Sequence, residues 1–132
     1  MMDKHTLKQY QAILREIDQL EQEKQRVLSR LLSPSPPDGQ PHGSGSPDKI
    51  GEAVARRDKY QRLIDRKLDE LISLREQIET AIESLPPNDR RLLRLRYIEG
   101  MTWEQLAVEM NYNYRWVLRL HGRILRDMAN RP

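Results

Sequence analysis

Apolar residues recur along the first quarter of the chain with the period of a helix. From about Asp3 to Leu32, the positions Leu7, Tyr10, Leu14, Ile17, Leu28 and Leu31 follow a three-four spacing. Ile13, Leu20 and Val27 widen the stripe, and Glu21 and Lys24 interrupt it. The pattern predicts one amphipathic helix, roughly 45 Å long at 1.5 Å per residue. The same spacing returns at Ile50, Val54, Arg57, Ile64, Leu68, Leu71, Ile78, Ile82 and Leu85, with Gln61 and Arg75 as polar interruptions. Asp48 is the expected N-cap of this second helix, which should run to about Ser84. Between the two stripes, residues 33–47 hold five Pro and three Gly, which neither continue a helix nor support a sheet ladder. This linker lets the chain reverse, so residues 1–85 are read as a long antiparallel, coiled-coil-like helical hairpin. Two helices bury only one face each. The hairpin is therefore expected to oligomerise, with a homodimer preferred, or to dock onto the remaining segment.

The spacing changes after Pro86 and Pro87, which stop the second helix. Asn88 is the expected cap of a short helix carrying Leu92, Leu93 and Leu95 and closing at Gly100. Thr102 and Gln105 fit a capping box. Asn111 stands where a left-handed residue would turn a corner, and Asn113 caps a last helix running to about Met128. Residues 86–132 thus read as three short helices with a helix-turn-helix, around Leu95, Leu106, Ala107, Met110, Tyr112, Val117, Leu120 and Leu125. The fold class is all-α.

Composition sharpens this picture through charge. The net charge of +3 divides unevenly. Residues 1–85 carry 14 Lys/Arg against 15 Asp/Glu, whereas residues 86–132 carry nine Arg, no Lys and five acids. The basic excess sits on the helix-turn-helix, where phosphate contact needs it, and the guanidinium fork suits both phosphate and guanine. There is no Cys, which excludes disulfides and thiolate metal sites. No secretory leader and no membrane-length apolar run is visible, so a soluble, cytoplasmic protein is expected, without a membrane partner. Neither His42 nor His121 has neighbours at ligand spacing, so no metal or other cofactor is expected. A Gly-rich phosphate loop, a nucleophile elbow and paired acids are all missing, which argues against an enzyme with catalytic residues. Acids on the long helices are spaced as partners for basic residues, as in Glu52–Arg56 and Asp58–Arg62.

The run LPPNDRRLLRLRYIEGMTWEQLAVEMNYNYRWVLRLHGRIL, from Leu85 onward, resembles region 4 of sigma-70-type factors. It resembles more closely the phage-encoded transcriptional regulators of the RinA/ArpU class, which pair an N-terminal helical region with a sigma-region-4-like end. The shared features are the Leu-Pro helix start, the Leu-Arg-Leu-Arg-Tyr-Ile-Glu-Gly run, and Thr-aromatic-Glu-x-Leu-Ala before the corner. The stretch PHGSGSPDKIG is similar to the Pro/His/Gly-rich segment of such phage proteins. The chain departs from the pattern at Asn111, where region 4 commonly has Gly, and in the apolar Tyr114, Trp116 and Leu118. The resemblance implies a bacterial host cell and a reading helix over residues 113–126. Its base-facing positions fall on Tyr114, Arg115, Leu118 and Arg119, and its inward positions on Val117 and Leu120.

Helical spacing agrees with that assignment: Val117, Leu120 and Ile124 form one face, while Arg115, Arg119 and Arg126 project elsewhere, with Arg115 and Arg119 one turn apart. Candidates for phosphate contact are Arg94, Arg96, Thr102, Asn113, Trp116 and Arg123. Trp116 can instead pack on the unit's first helix, the preferred reading for that residue, while Trp103 should cover the core. His121, on the reading helix, could meet a phosphate at low pH. The leading function is a sequence-specific regulator of phage or prophage type that binds double-stranded DNA in the major groove. Two alternatives remain: a DNA-packaging component resembling small terminase subunits, and a module that binds RNA polymerase or another protein without reading DNA.

Overall fold

Both long amphipathic patterns form long helices. The structure, a computed structural model, describes residues 2–33 and 47–131. Helix α1 is Lys4–Leu32 and α2 is Pro47–Ile82. They are followed by α3, Pro87–Leu93, a π-helical turn, Arg94–Ile98, then α4, Trp103–Met110, and α5, Tyr114–Ala129. No strand occurs among the described residues, so the all-α expectation holds. Most of the linker assigned to 33–47, together with His42, lies outside the described residues. No helix among them is long and apolar enough to cross a membrane.

The helices sort into two compact units, Met1–Leu14 with Glu70–Pro132, and Arg15–Asp69. In the Arg15–Asp69 unit, α1 and α2 run antiparallel: Lys24 Nζ lies 3.4 Å from Gln61 Oε1, and Glu16 is paired with Lys67 at 2.8 Å. Ala53 and Ile64 are buried here, whereas Ile17, Leu20, Val27, Leu28 and Leu31 remain half-buried. Asp58 pairs with Arg57 at 3.6 Å instead of with Arg62, because exposed side chains of this length take whichever neighbour is nearest.

The other unit holds the denser core. Leu7 and Tyr10 of α1 and Leu71, Leu74, Ile78 and Ile82 of α2 are buried. So are Leu92, Leu93, Tyr97, Ile98, Leu106, Ala107, Met110, Val117, Leu120, Ile124 and Met128. Three expected core members, Leu95, Tyr112 and Leu125, are only half-buried. Their place is taken by the pair Tyr97 and Ile98, five residues after Leu92 and Leu93. A spacing of five matches the i→i+5 bond of a π-turn, and Glu99 N–H indeed donates to Arg94 O at 2.9 Å. The wider turn puts both apolar pairs inside, which a continuous α-helix would not. It closes at Gly100, whose φ of +74° suits glycine. Gln11 of α1 donates through Nε2 to the Tyr97 and Ile98 carbonyls at 3.1 and 2.8 Å, satisfying acceptors that the turn frees.

Two expected caps are displaced. α2 begins at Pro47, so Asp48 lies within its first turn, where its charge meets the positive end of the helix. α3 begins at Pro87 after Pro86, so Asn88 is helical and donates instead to the Tyr112 hydroxyl at 2.7 Å. Proline at the first helical position, with φ already set and no N–H to leave orphaned, explains both shifts.

Candidate nucleic-acid interface

The corner between α4 and α5 forms as its sequence dictates. Thr102 caps α4 with a complete capping box: its hydroxyl accepts from Gln105 N at 3.1 Å, and Gln105 Oε1 accepts from Thr102 N at 3.0 Å. Asn111 ends α4 at φ 58°, ψ 44°, the left-handed conformation that Asn tolerates. Asn113 then caps α5, its Oδ1 accepting from Arg115 N at 2.8 Å. The turn is therefore fixed by hydrogen bonds on both sides, which sets the direction of α5.

Val117, Leu120, His121, Ile124 and Met128 make the buried side of α5. On the opposite side Arg115, Arg119 and Arg126 fall within about 40° of one another around the helix, at 3.6 residues per turn. Gly122 lies in the same stripe, with open space where a Cβ would stand. Tyr114 and Leu118, one turn apart, form one shoulder of this face, at 43% and 37% exposure. Trp116 belongs to the other shoulder and is 47% exposed, so the packing preferred for it is not what the structure has. The reason is angular: residue 116 points about 90° away from the middle of the buried side.

The arginines separate into two groups. Arg94 binds Glu79 through Nη2 at 2.6 Å and Nε at 3.1 Å, a forked contact. Hydrogen bonding from Arg94 holds the Glu79 carboxyl below its ordinary range, and Glu79 in turn raises the Arg94 guanidinium. Arg96 donates to Met101 O at 2.7 Å and stacks over Trp103, 4.3 Å from the ring centre. Arg90 donates to Glu83 O, Arg91 pairs with Glu109 at 3.5 Å, and Arg131 reaches Ser84. Arg123 lies 3.4 Å from the buried Asp89 carboxylate. By contrast, the side chains of Arg115, Arg119 and Arg126 make no hydrogen bond or ion pair among the described residues.

This sorting bears on each site candidate. Tyr114, Arg115, Leu118 and Arg119 are brought together on one exposed face. Thr102 and Asn113 are occupied as helix caps, and Arg94, Arg96 and Arg123 hold internal partners. Trp116 is open to solvent. His121 is 7% exposed and its Nε2 lies 2.6 Å from the Tyr97 hydroxyl, with Trp103 edge-on at 4.6 Å. It cannot meet a phosphate there, because it lies on the inner side of α5. Burial pushes its imidazole down to about 4, and Lys4, Arg96 and Lys8 add to the effect. Burial likewise pushes the Tyr97 phenol up to about 12.

Arg126 was not among the sequence-derived contacts, although its distance from Arg119 and Arg115 keeps it on their stripe. Glu79 left no local signal at all, since its partner lies 15 residues further along. No group of three or more His, Cys, Asp or Glu able to hold a metal occurs among the described residues.

Residues 75–123 match the family model of sigma-70, region 4. Neither a curated protein nor a solved structure matches the chain. The matched segment opens in the last turns of α2 and ends in α5, so it spans the helix-turn-helix and the Glu79–Arg94 contact. The chain therefore carries a sigma-70 region 4-like helix-turn-helix, a DNA-binding domain of transcription regulation.

Proposed function

We propose that this protein is a sequence-specific transcriptional regulator of phage or prophage type, which reads a major groove with α5. The observation that carries the reading is the division of the arginines. Six of the nine in residues 86–132 are used inside the protein, and the three left without partners among the described residues share one side of α5. No Asp or Glu interrupts α5 before Asp127. Such a face attracts a polyanion, and its helix lies in a helix-turn-helix that matches sigma-70 region 4. The phage assignment is supported by the RinA/ArpU-like runs at residues 41–51 and 85–125.

Two copies would act together through residues 15–69. Ile50, Val54 and Leu68 are exposed there on one side of α2, and a homodimer gives that apolar surface an occupant. A dimer in sedimentation fits regulation, whereas a ring of many copies would replace this reading with the packaging one.

The test is enrichment of random duplex DNA by the purified protein, beside the Arg115→Ala/Arg119→Ala variant. A recovered motif, as a repeat of fixed spacing, that disappears in the variant is the expected result. Binding should also weaken by about 0.9 log units per log salt for each phosphate neutralised. Absence of any DNA retention would overturn the proposal in favour of a protein-binding module.

A further inference from the structure

Tyr114 and Leu118 present apolar surface beside two unpaired guanidinium groups, a combination that limits what can cover them. They are one helical turn apart, about 5.4 Å, on the shoulder next to Arg115 and Arg119. An apolar protein surface laid over this shoulder would press Arg115 and Arg119 against it without counter-charge, which is costly. An acidic protein would satisfy the arginines and leave Leu118 without an apolar partner. A duplex meets both demands at once: phosphates and the guanine N7 and O6 atoms take the arginines. The only apolar group that the floor of the major groove offers is the C5-methyl of thymine.

We infer that Tyr114 and Leu118 are the specificity-determining residues that recognise a thymine methyl, next to a guanine held by Arg115 or Arg119. The inference rests on the DNA-reading function proposed above and adds the base chemistry to it. One turn of α5 spans about one and a half base steps, since stacked bases rise about 3.4 Å per strand. Tyr114 and Leu118 therefore address one or two adjacent thymines and no more. At Leu118 discrimination comes from the methyl alone, because a leucine has no hydrogen-bonding group with which to distinguish bases.

The experiment uses the full chain and the duplex it enriches. Each thymine of that duplex is replaced in turn by deoxyuridine, which removes the C5-methyl and leaves base pairing intact. At one or two positions the wild-type protein should lose about fourfold in affinity, the worth of one buried methyl. The same replacements should cost Leu118→Ala little. Leu118 is exposed, so its thermal unfolding should match the wild type and report that the fold is kept. If the wild type prefers the enriched duplex yet tolerates deoxyuridine everywhere, the methyl inference is overturned and the DNA-reading function stands. Undiminished sensitivity in both Leu118→Ala and Tyr114→Ala would overturn it equally. If no duplex is preferred, the function and the inference fall together.

Discussion

Acidification should loosen α5 through one residue, His121. Its ring lies on the inner side of α5, between the Tyr97 hydroxyl at 2.6 Å and the edge-on Trp103 ring. Arg96 sits across Trp103, and Lys4 and Lys8 add positive potential. A proton is therefore unwelcome in the folded state, where the imidazole titrates at about 4, against 6.5 when solvated. The folded value is the lower one, so the neutral ring's contribution is complete above 6.5 and shrinks as the pH falls towards 4. It is lost below that. At roughly 1.36 kcal/mol per pH unit, the window corresponds to a loss on the order of 3 kcal/mol. That is a large share of the stability of a small domain. Glu79, held below its ordinary range by hydrogen bonding from Arg94, also contributes stability that is lost on acidification, so the wild-type profile alone does not isolate His121. The assay is denaturant unfolding from pH 7 to 4 for wild type and His121→Gln, which has no titrating group there. The wild-type advantage should shrink by about 3 kcal/mol across the window. A constant difference between the two would refute the argument. If His121→Gln does not fold, a direct titration of the wild-type ring decides the matter: a midpoint near 4 supports the account, and one near 6.5 contradicts it.

Four further outcomes follow from the structure. Gln11→Ala removes both hydrogen bonds to the π-helical turn, and chemical unfolding should show a loss of about 1–3 kcal/mol. Gly122→Ala should raise stability by about 0.5–1 kcal/mol, because the position is helical and a Cβ meets nothing; a lower melting temperature would show that the space is not open. Arg115→Ala or Arg119→Ala should cost roughly 1–3 kcal/mol on an enriched duplex without changing the melting temperature. Arg94→Ala should instead lower the melting temperature, since it leaves the Glu79 carboxylate without its forked partner.

Much of this fold is written in local patterns. The capping box at Thr102 and Gln105, the left-handed Asn111 and the cap at Asn113 each depend on residues within one turn, and each forms as expected. The exposed Arg115 and Arg119 are equally local, because helical spacing alone puts them opposite Val117 and Leu120. What local pattern does not carry is partnership at a distance. Nothing near Arg94 announces Glu79, and nothing near Arg123 announces a buried Asp89. His121 reads as one more polar residue on a basic helix until Tyr97 and Trp103 are placed around it. The π-turn did leave a trace, in the five-residue step from Leu92–Leu93 to Tyr97–Ile98, which an α-helical template passes over. Pro47 and Pro87 left another. The linker reading of Pro47 and the stop reading of Pro87 both pass over how well proline serves as the first residue of a helix.

The most direct test of the account is to map duplex contact residue by residue. Amide resonances of the isotopically labelled full chain would be followed as an enriched duplex is added. The account predicts that the largest changes fall on Tyr114, Arg115, Leu118 and Arg119, while residues 15–69 stay nearly unmoved. Changes concentrated in α1 and the first half of α2, with α5 silent, would contradict it.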